Sequence, residues 1–134
     1  MQKSSQSLED YLEAIVMLGG SPQCSVRSVD VADRLEVSKA SVAKAINNMK
    51  SLGYVEQEHY GAITLTRAGY EYGASVLERH ELLIEFLTKQ VGIPQARAEE
   101  EACLMEHAIS DESFELWRAY IKRVSEAPSN GSLC

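Results

Sequence analysis

The chain reads as a mostly α-helical protein with a small β-hairpin: an N-terminal winged helix-turn-helix followed by a second, wholly helical segment. Three observations carry this reading. From Asp30 to Lys50 two short amphipathic stretches meet at a tight turn, and the second presents Lys39, Lys44 and Lys50 with no acidic residue from Val37 to Tyr54. A strand, tip and strand follow at once in Tyr54–Thr66, with alternation at Ile63 and Leu65 and Gly61 at the turn. Beyond Thr66 the apolar spacing is helical. A helix pair of this kind offers its second member to a DNA major groove, and a hairpin directly behind it is a wing.

The first helix is expected from Ser7 to Leu18, since Leu8, Tyr11, Leu12 and Ile15 form one apolar stripe. Ser7 is its candidate N-cap, and Gly19-Gly20-Ser21-Pro22 ends it. Ser28 is expected to cap a second helix that reaches Leu35 with Val29, Ala32 and Leu35 inward. Ser38 opens the third, which buries Val42, Ile46, Met49 and Leu52 and is closed by Gly53. Thr66 caps a long helix to about Gln90, with Tyr70, Gly73, Leu77, Leu83, Ile84 and Leu87 available for burial and Gly92 as terminator. Pro94 suits the first turn of the next helix, which ends near Ile109. Ser110 then caps a last helix carrying Phe114, Trp117, Tyr120, Ile121 and Val124. That stripe is more apolar than one small domain needs, so a homodimer seam is expected at Phe114, Trp117, Tyr120 and Ile121.

With 134 residues, 45% hydrophobic and 25% charged, the chain belongs among soluble globular proteins of one domain, or two small ones. No apolar run approaches the roughly 18–20 residues of a bilayer span, and the polar start does not resemble a signal peptide. A cytoplasmic location follows as the expectation. Cys24, Cys103 and Cys134 are an odd and scattered set, which fits reduced thiols, one a candidate metal ligand, better than disulfides. The net charge of −7 opposes DNA binding if taken whole. Between Ser21 and Thr66, however, five basic residues balance five acidic ones, whereas in Pro94–Glu115 seven acidic residues face Arg97 alone. The excess lies outside the reading segment, where it repels itself and invites cations.

Ser28, Ser38, Lys39, Ala40, Ser41 and Lys44 are the candidate DNA-contacting residues near the recognition helix, with His59 and Tyr60 at the wing tip. Hydroxyls and backbone N–H groups suit phosphate oxygens, and lysines add salt-sensitive affinity. The plainer alternative is that the lysines only solubilise a surface helix. Cys103, Glu106 and His107, spaced i, i+3, i+4, project from one helical face, as a transition-metal site requires. A surface Glu-His beside a buried Cys would show the same spacing. A further histidine, His80, lies on the preceding long helix. Asp10 and Glu13 share a face of the first helix away from its core stripe, and by spacing alone they read first as a solvated acidic edge. No nucleophile–base pair or phosphate loop is visible, so an enzyme is not expected.

Three separated motifs give the chain a family likeness. Glu9-Asp10-Tyr11-Leu12-Glu13, Arg79-His80-Glu81-Leu82-Leu83 and the run from Glu101 to Asp111 fall in order around the winged helix. With them, from Ser7 to Val124, the chain resembles the metal-dependent repressors of the diphtheria toxin repressor and manganese transport regulator family. The resemblance implies a winged helix-turn-helix DNA-binding domain at 1–72, an α-helical metal-binding and dimerisation domain at 73–126, and a flexible tail at 127–134. It implies metal ligands at Asp10, Glu13, His80, Cys103, Glu106 and His107. Glu99 falls at a possible ancillary site, where Ile84 replaces a glutamate. Cys103 follows the iron branch, while the short chain follows the manganese branch. The implied partners are double-stranded operator DNA and a second copy of the chain, with no membrane and no organic cofactor. The implied corepressor is Fe²⁺ or Mn²⁺, with Zn²⁺ and Co²⁺ as binders in vitro. Two other readings remain open from the residues. One is a winged-helix regulator answering to a small organic ligand or to thiol oxidation at Cys103. The other is a protein-interaction module using the aromatic stripe of the last helix.

Overall fold

The computed structural model describes the backbone of residues 2–58 and 61–125, with side chains from Leu8 onward. The chain divides into two compact units, Met1–Leu77 and Glu78–Cys134. The elements in order are α1 (Gln2–Met17), β1 (Val26–Arg27), α2 (Ser28–Leu35), α3 (Lys39–Ser51), β2 (Val55–Gln57), β3 (Ala62–Leu65), α4 (Arg67–Glu85), α5 (Gln95–Ala108) and α6 (Asp111–Ser125). His59, Tyr60 and the tail at 127–134 lie outside the described residues.

In the first unit, Tyr11, Leu12 and Ile15 of α1 pack with Val31 and Ala32 of α2, Val42, Ile46 and Met49 of α3, and Val26, Val55, Ile63 and Leu65 of the sheet. The strands are antiparallel in the order β1-β3-β2. Val26 pairs with Ile63, and Val55 with Leu65. The sheet thus has a third strand beyond the expected hairpin. Two residues are too short to show alternation, so β1 left no periodic signal. The turn between α2 and α3 rests on Glu36, which adopts φ 57 and donates its N–H to carbonyls of the preceding turn.

Ser38 caps α3, its hydroxyl accepting the Ser41 N–H at 3.0 Å. Gly53, at φ 83, closes that helix as expected, and Tyr54 N–H returns to Met49 O at 2.9 Å. Thr66 Oγ1 accepts the Gly69 N–H at 3.0 Å and donates to Gly53 O at 2.7 Å. One hydroxyl therefore caps α4 and ties it to the end of α3. A Cβ on Gly69 would stand 2.0 Å from Tyr54 O, and one on Gly73 2.8 Å from Leu12 O. These two glycines let the start of α4 cross the β2 approach and α1 at backbone distance. Tyr72, between them, donates to Glu9 Oε2 at 2.9 Å.

In the second unit, Leu83, Leu87, Ala98, Ala102, Phe114 and Ile121 form the core, with Phe86 and Trp117 packed against it. The end of α4 widens into a π-helical stretch at Phe86–Val91 before Gly92 stops it at φ 92. Within it the Thr88 hydroxyl donates to Ile84 O at 2.8 Å, alongside the backbone ladder. Ser110 caps α6 by accepting the Ser113 N–H at 3.0 Å.

Several expectations need correction. Helix α1 begins at Gln2, so Ser7 lies inside it and does not cap it. Arg27, not Ser28, holds the N-cap position of α2, without a side-chain cap, because the chain arrives there already extended in β1. Val31, not Val29, is the deeply buried valine of α2; Val29 is half-buried and lines a groove with Ser28 and Lys39. Leu52 is 53% exposed at the C-cap of α3, past the last turn that faces the core. Pro94 stands at the N-cap of α5, one residue before its first turn.

Candidate metal centre and nucleic-acid interface

Helix α5 places Cys103, Glu106 and His107 on one face, and α4 brings His80 to them within the second unit. Glu106 is 1% exposed. Its Oε1 lies 3.0 Å from His80 Nδ1, and its Oε2 lies 3.4 Å from His107 Nε2. The second approach is close enough for attraction but lacks hydrogen-bond alignment, so among the described residues Oε2 accepts no hydrogen bond. The ligand atoms of Cys103 and His107 lie within 4.8 Å of one another.

A carboxylate withdrawn from water with one oxygen unbonded is costly, by several kcal/mol if nothing neutralises it. Donors bound to one ion at about 2.0–2.3 Å stand roughly 3–4 Å from each other, which is the spacing of Glu106 with its two imidazoles. Oxygen, nitrogen and sulfur donors together suit a borderline divalent transition metal. The residues present therefore fit such an ion. The alternative of a surface Glu-His pair does not hold, because Glu106 is not at the surface.

In the first unit, Asp10 and Glu13 lie on α1. Glu13 is 8% exposed, so the reading of a solvated acidic edge fails for it; Asp10 is half-buried. Glu99 sits on an exposed part of α5, accepting from Gln95 Nε2 at 2.8 Å, and is not among the ligand-type side chains that cluster.

On α3, Lys39, Ala40, Ser41 and Lys44 are exposed beside the buried stripe. Ser38 spends its hydroxyl largely on the helix cap, bonding Ser41 N and Oγ at 3.0 Å each. Ser28, half-buried, lines a groove of about 230 Å³ with Lys39, Asn47 and Gln57. Asn47 and Arg27 are candidates that the sequence reading missed. Asn47 continues the exposed stripe of Lys39, Ala43 and Lys44 by one turn, a periodicity visible in the sequence. Arg27 is exposed and bonds Asp30 at 3.2 Å, which raises its guanidinium above the ordinary arginine range. No period marks it, because it stands in a two-residue strand.

The proposed aromatic seam is divided by burial. Phe114 and Ile121 are 1% and 0% exposed within the unit's own core, so they have nothing to offer a partner. Trp117 is half-buried, and the exposed apolar side chains include Leu104, Leu116 and Tyr120.

A winged helix-turn-helix in the first unit and a clustered Cys, Glu and two His in the second define the class: a DNA-binding regulator with a metal-ligating helical unit. Residues 3–63 match the N-terminal DNA binding domain of the iron dependent repressors, and residues 66–132 their metal binding and dimerisation domain. An uncharacterized HTH-type transcriptional regulator of Methanocaldococcus jannaschii is 34% identical over 91% of this chain and 98% of its own length. The HTH-type transcriptional regulator MntR of Lysinibacillus sphaericus is 31% identical, over 91% of this chain and 86% of its own. Among solved structures, a manganese-dependent transcriptional repressor in complex with manganese superposes with TM-score 0.74 at 30% identity, over 86% of this chain. The chain spans about half (52%) of that longer protein. The chain belongs to the iron dependent repressor family of metal-dependent transcriptional regulators. No helix among the described residues is long and apolar enough to cross a membrane.

Proposed function

We propose that this chain is a homodimeric repressor that binds operator DNA in the cytoplasm when Fe²⁺ or Mn²⁺ occupies a centre built on His80, Cys103, Glu106 and His107. The observation that carries the reading is the buried Glu106 carboxylate, set between two imidazoles with one oxygen unbonded among the described residues. Asp10 and Glu13 of α1 complete the ligand set, a role supported by the burial of Glu13 and implied by the resemblance of the Glu9–Glu13 motif. The bound ion supplies positive charge against these carboxylates. Asp10 and Glu13 then hold α1, and α1 in turn supports α2 and α3 through the shared core of Leu12, Ile15, Val31 and Ile46. The DNA-binding part spans 1–72 and the metal-binding and dimerisation part 73–126.

Lys39 and Lys44 contact phosphates, while Ala40 and Ser41 face base edges from the N-terminal end of α3. Two such helices, one per protomer, are set near one DNA turn apart, about 34 Å. Trp117 and Tyr120 serve the dimer seam, together with Leu104 and Leu116.

The thiol of Cys103 favours Fe²⁺, and the carboxylates favour Mn²⁺. Crystals grown with each ion and measured at the Fe and Mn absorption edges test the centre. The reading expects anomalous density bonded to Glu106, His80 and Glu13; density that touches none of them would overturn it. Cys103→Glu should shift the preference in DNA-binding activation from Fe²⁺ towards Mn²⁺, and an unchanged preference would refute the softness argument.

A further inference from the structure

Arg79 precedes His80 on α4, is 9% exposed, and has no part in the ligand set. Its Nη2 donates to Glu106 O at 2.7 Å and to Ile109 O at 2.8 Å, and its Nη1 donates to Asp111 Oδ1 at 2.9 Å. The guanidinium also lies 4.9 Å from the Phe114 ring centroid. Glu106 and Ile109 stand in the last turn and at the C-cap of α5, where backbone carbonyls lack helical partners and attract a cation. The Asp111 side chain is 97% exposed, so solvent weakens that ion pair and the two carbonyl bonds carry most of the grip.

We propose that Arg79 is a positioning residue of the metal centre: its forked guanidinium fixes the last turn of α5 against α4, so that the Glu106 carboxylate meets the His80 imidazole. One side chain thereby holds both ligand-bearing helices at the ligands themselves, through the residue next to one ligand and the carbonyl of the other. Lysine cannot replace it, because a single ammonium on a flexible stem does not hold three acceptors in one plane. The inference rests on the metal centre proposed above.

The test uses the full chain with Co²⁺ as probe, its Kd measured by chelator competition and its site geometry by the visible absorption bands. Circular dichroism of the metal-free proteins checks folding. Arg79→Lys should fold, bind Co²⁺ about 10- to 100-fold more weakly, and show altered bands. Asp111→Asn should stay within about twofold of wild type. Should Arg79→Lys lose thermal stability yet keep the wild-type Kd and spectrum, Arg79 is only structural and the proposal is overturned.

A second measurement needs no variant. Binding of diamagnetic Zn²⁺ to the wild type should slow hydrogen exchange of the Arg79 guanidinium protons in NMR, and their indifference to metal would also overturn the proposal. A wild type that fails to bind Co²⁺, or a Glu106→Ala variant that binds it as tightly as wild type, would instead remove the centre itself and this inference with it.

Discussion

At Glu106 a carboxylate is held 1% exposed, and its Oε2 accepts no hydrogen bond among the described residues. Burying a charge so poorly compensated costs stability in the metal-free protein, and a cation reverses the sign of that cost. Glu106→Gln removes the charge at nearly constant volume. Its metal-free form should melt at the same temperature as wild type or higher, whereas the rise in Tm on adding Mn²⁺ should vanish. For wild type that rise corresponds to about 2.7 kcal/mol at a metal activity 100-fold above Kd. Calorimetry of both proteins, with metal and with chelator, checks this; a full metal-induced rise in the variant would contradict it. Much of this site was legible in the sequence, because Cys103, Glu106 and His107 follow the helical period. Arg79 was not. Its carbonyl partners lie 27 and 30 residues away, and a backbone acceptor leaves no mark on residue type. The same blindness misplaced Phe114 and Ile121: a periodic apolar stripe says that a face is covered, but not whether the chain or its partner covers it.

Helix α4 shows how an element is fixed at both ends by local chemistry. Thr66 starts it, Gly69 and Gly73 set its approach, and Gly92 stops it. Alanine in a helix interior ordinarily gains roughly 1 kcal/mol over glycine. At Gly69 the added Cβ would stand 2.0 Å from Tyr54 O, a backbone atom that cannot turn aside. Overpacking of this kind costs about 1–3 kcal/mol or more, so the clash wins. Gly69→Ala should lower the Tm of the metal-free protein, and an unchanged or higher Tm would show that α4 does not approach the Tyr54 backbone so closely. The caps at Ser38, Thr66 and Ser110 and the stops at Gly53 and Gly92 were readable, since capping chemistry is tied to residue type. Strand β1 and the π-helical end of α4 were not. One is too short for a period, and the other changes the helical repeat without any change in residue type that marks it. On α3, each lysine that no longer neutralises a phosphate reduces the slope of log affinity against log salt by about 0.9. Lys39→Ala together with Lys44→Ala removes two lysines from each protomer of the dimer and should therefore flatten the slope by roughly 4, measured on duplex DNA from low to moderate salt. An unaltered slope would mean that these lysines only solubilise the helix.

Over the whole molecule the charge is −7, yet the segment Ser21–Thr66 is balanced and the excess gathers in the helical half. That distribution separates a part suited to a polyanion from a part suited to cations, and it was legible from the residues. The spatial neighbours of Glu13 were not, because helical spacing fixes only its face and says nothing of what buries it. Linking the two parts energetically is the central claim: Asp10 and Glu13, proposed above as ligands with Glu106 and its neighbours, would couple metal occupancy to DNA affinity. Coupling of about 1–3 kcal/mol corresponds to roughly 5- to 150-fold in affinity. The most direct measurement is the anisotropy of a labelled duplex titrated with the full chain at fixed ionic strength, in Mn²⁺ or Fe²⁺ and again in chelator, for wild type and Glu13→Gln. The account predicts tighter binding with metal in the wild type and little or no metal effect in the variant. Equal DNA affinity of the wild type with metal and with chelator would contradict it.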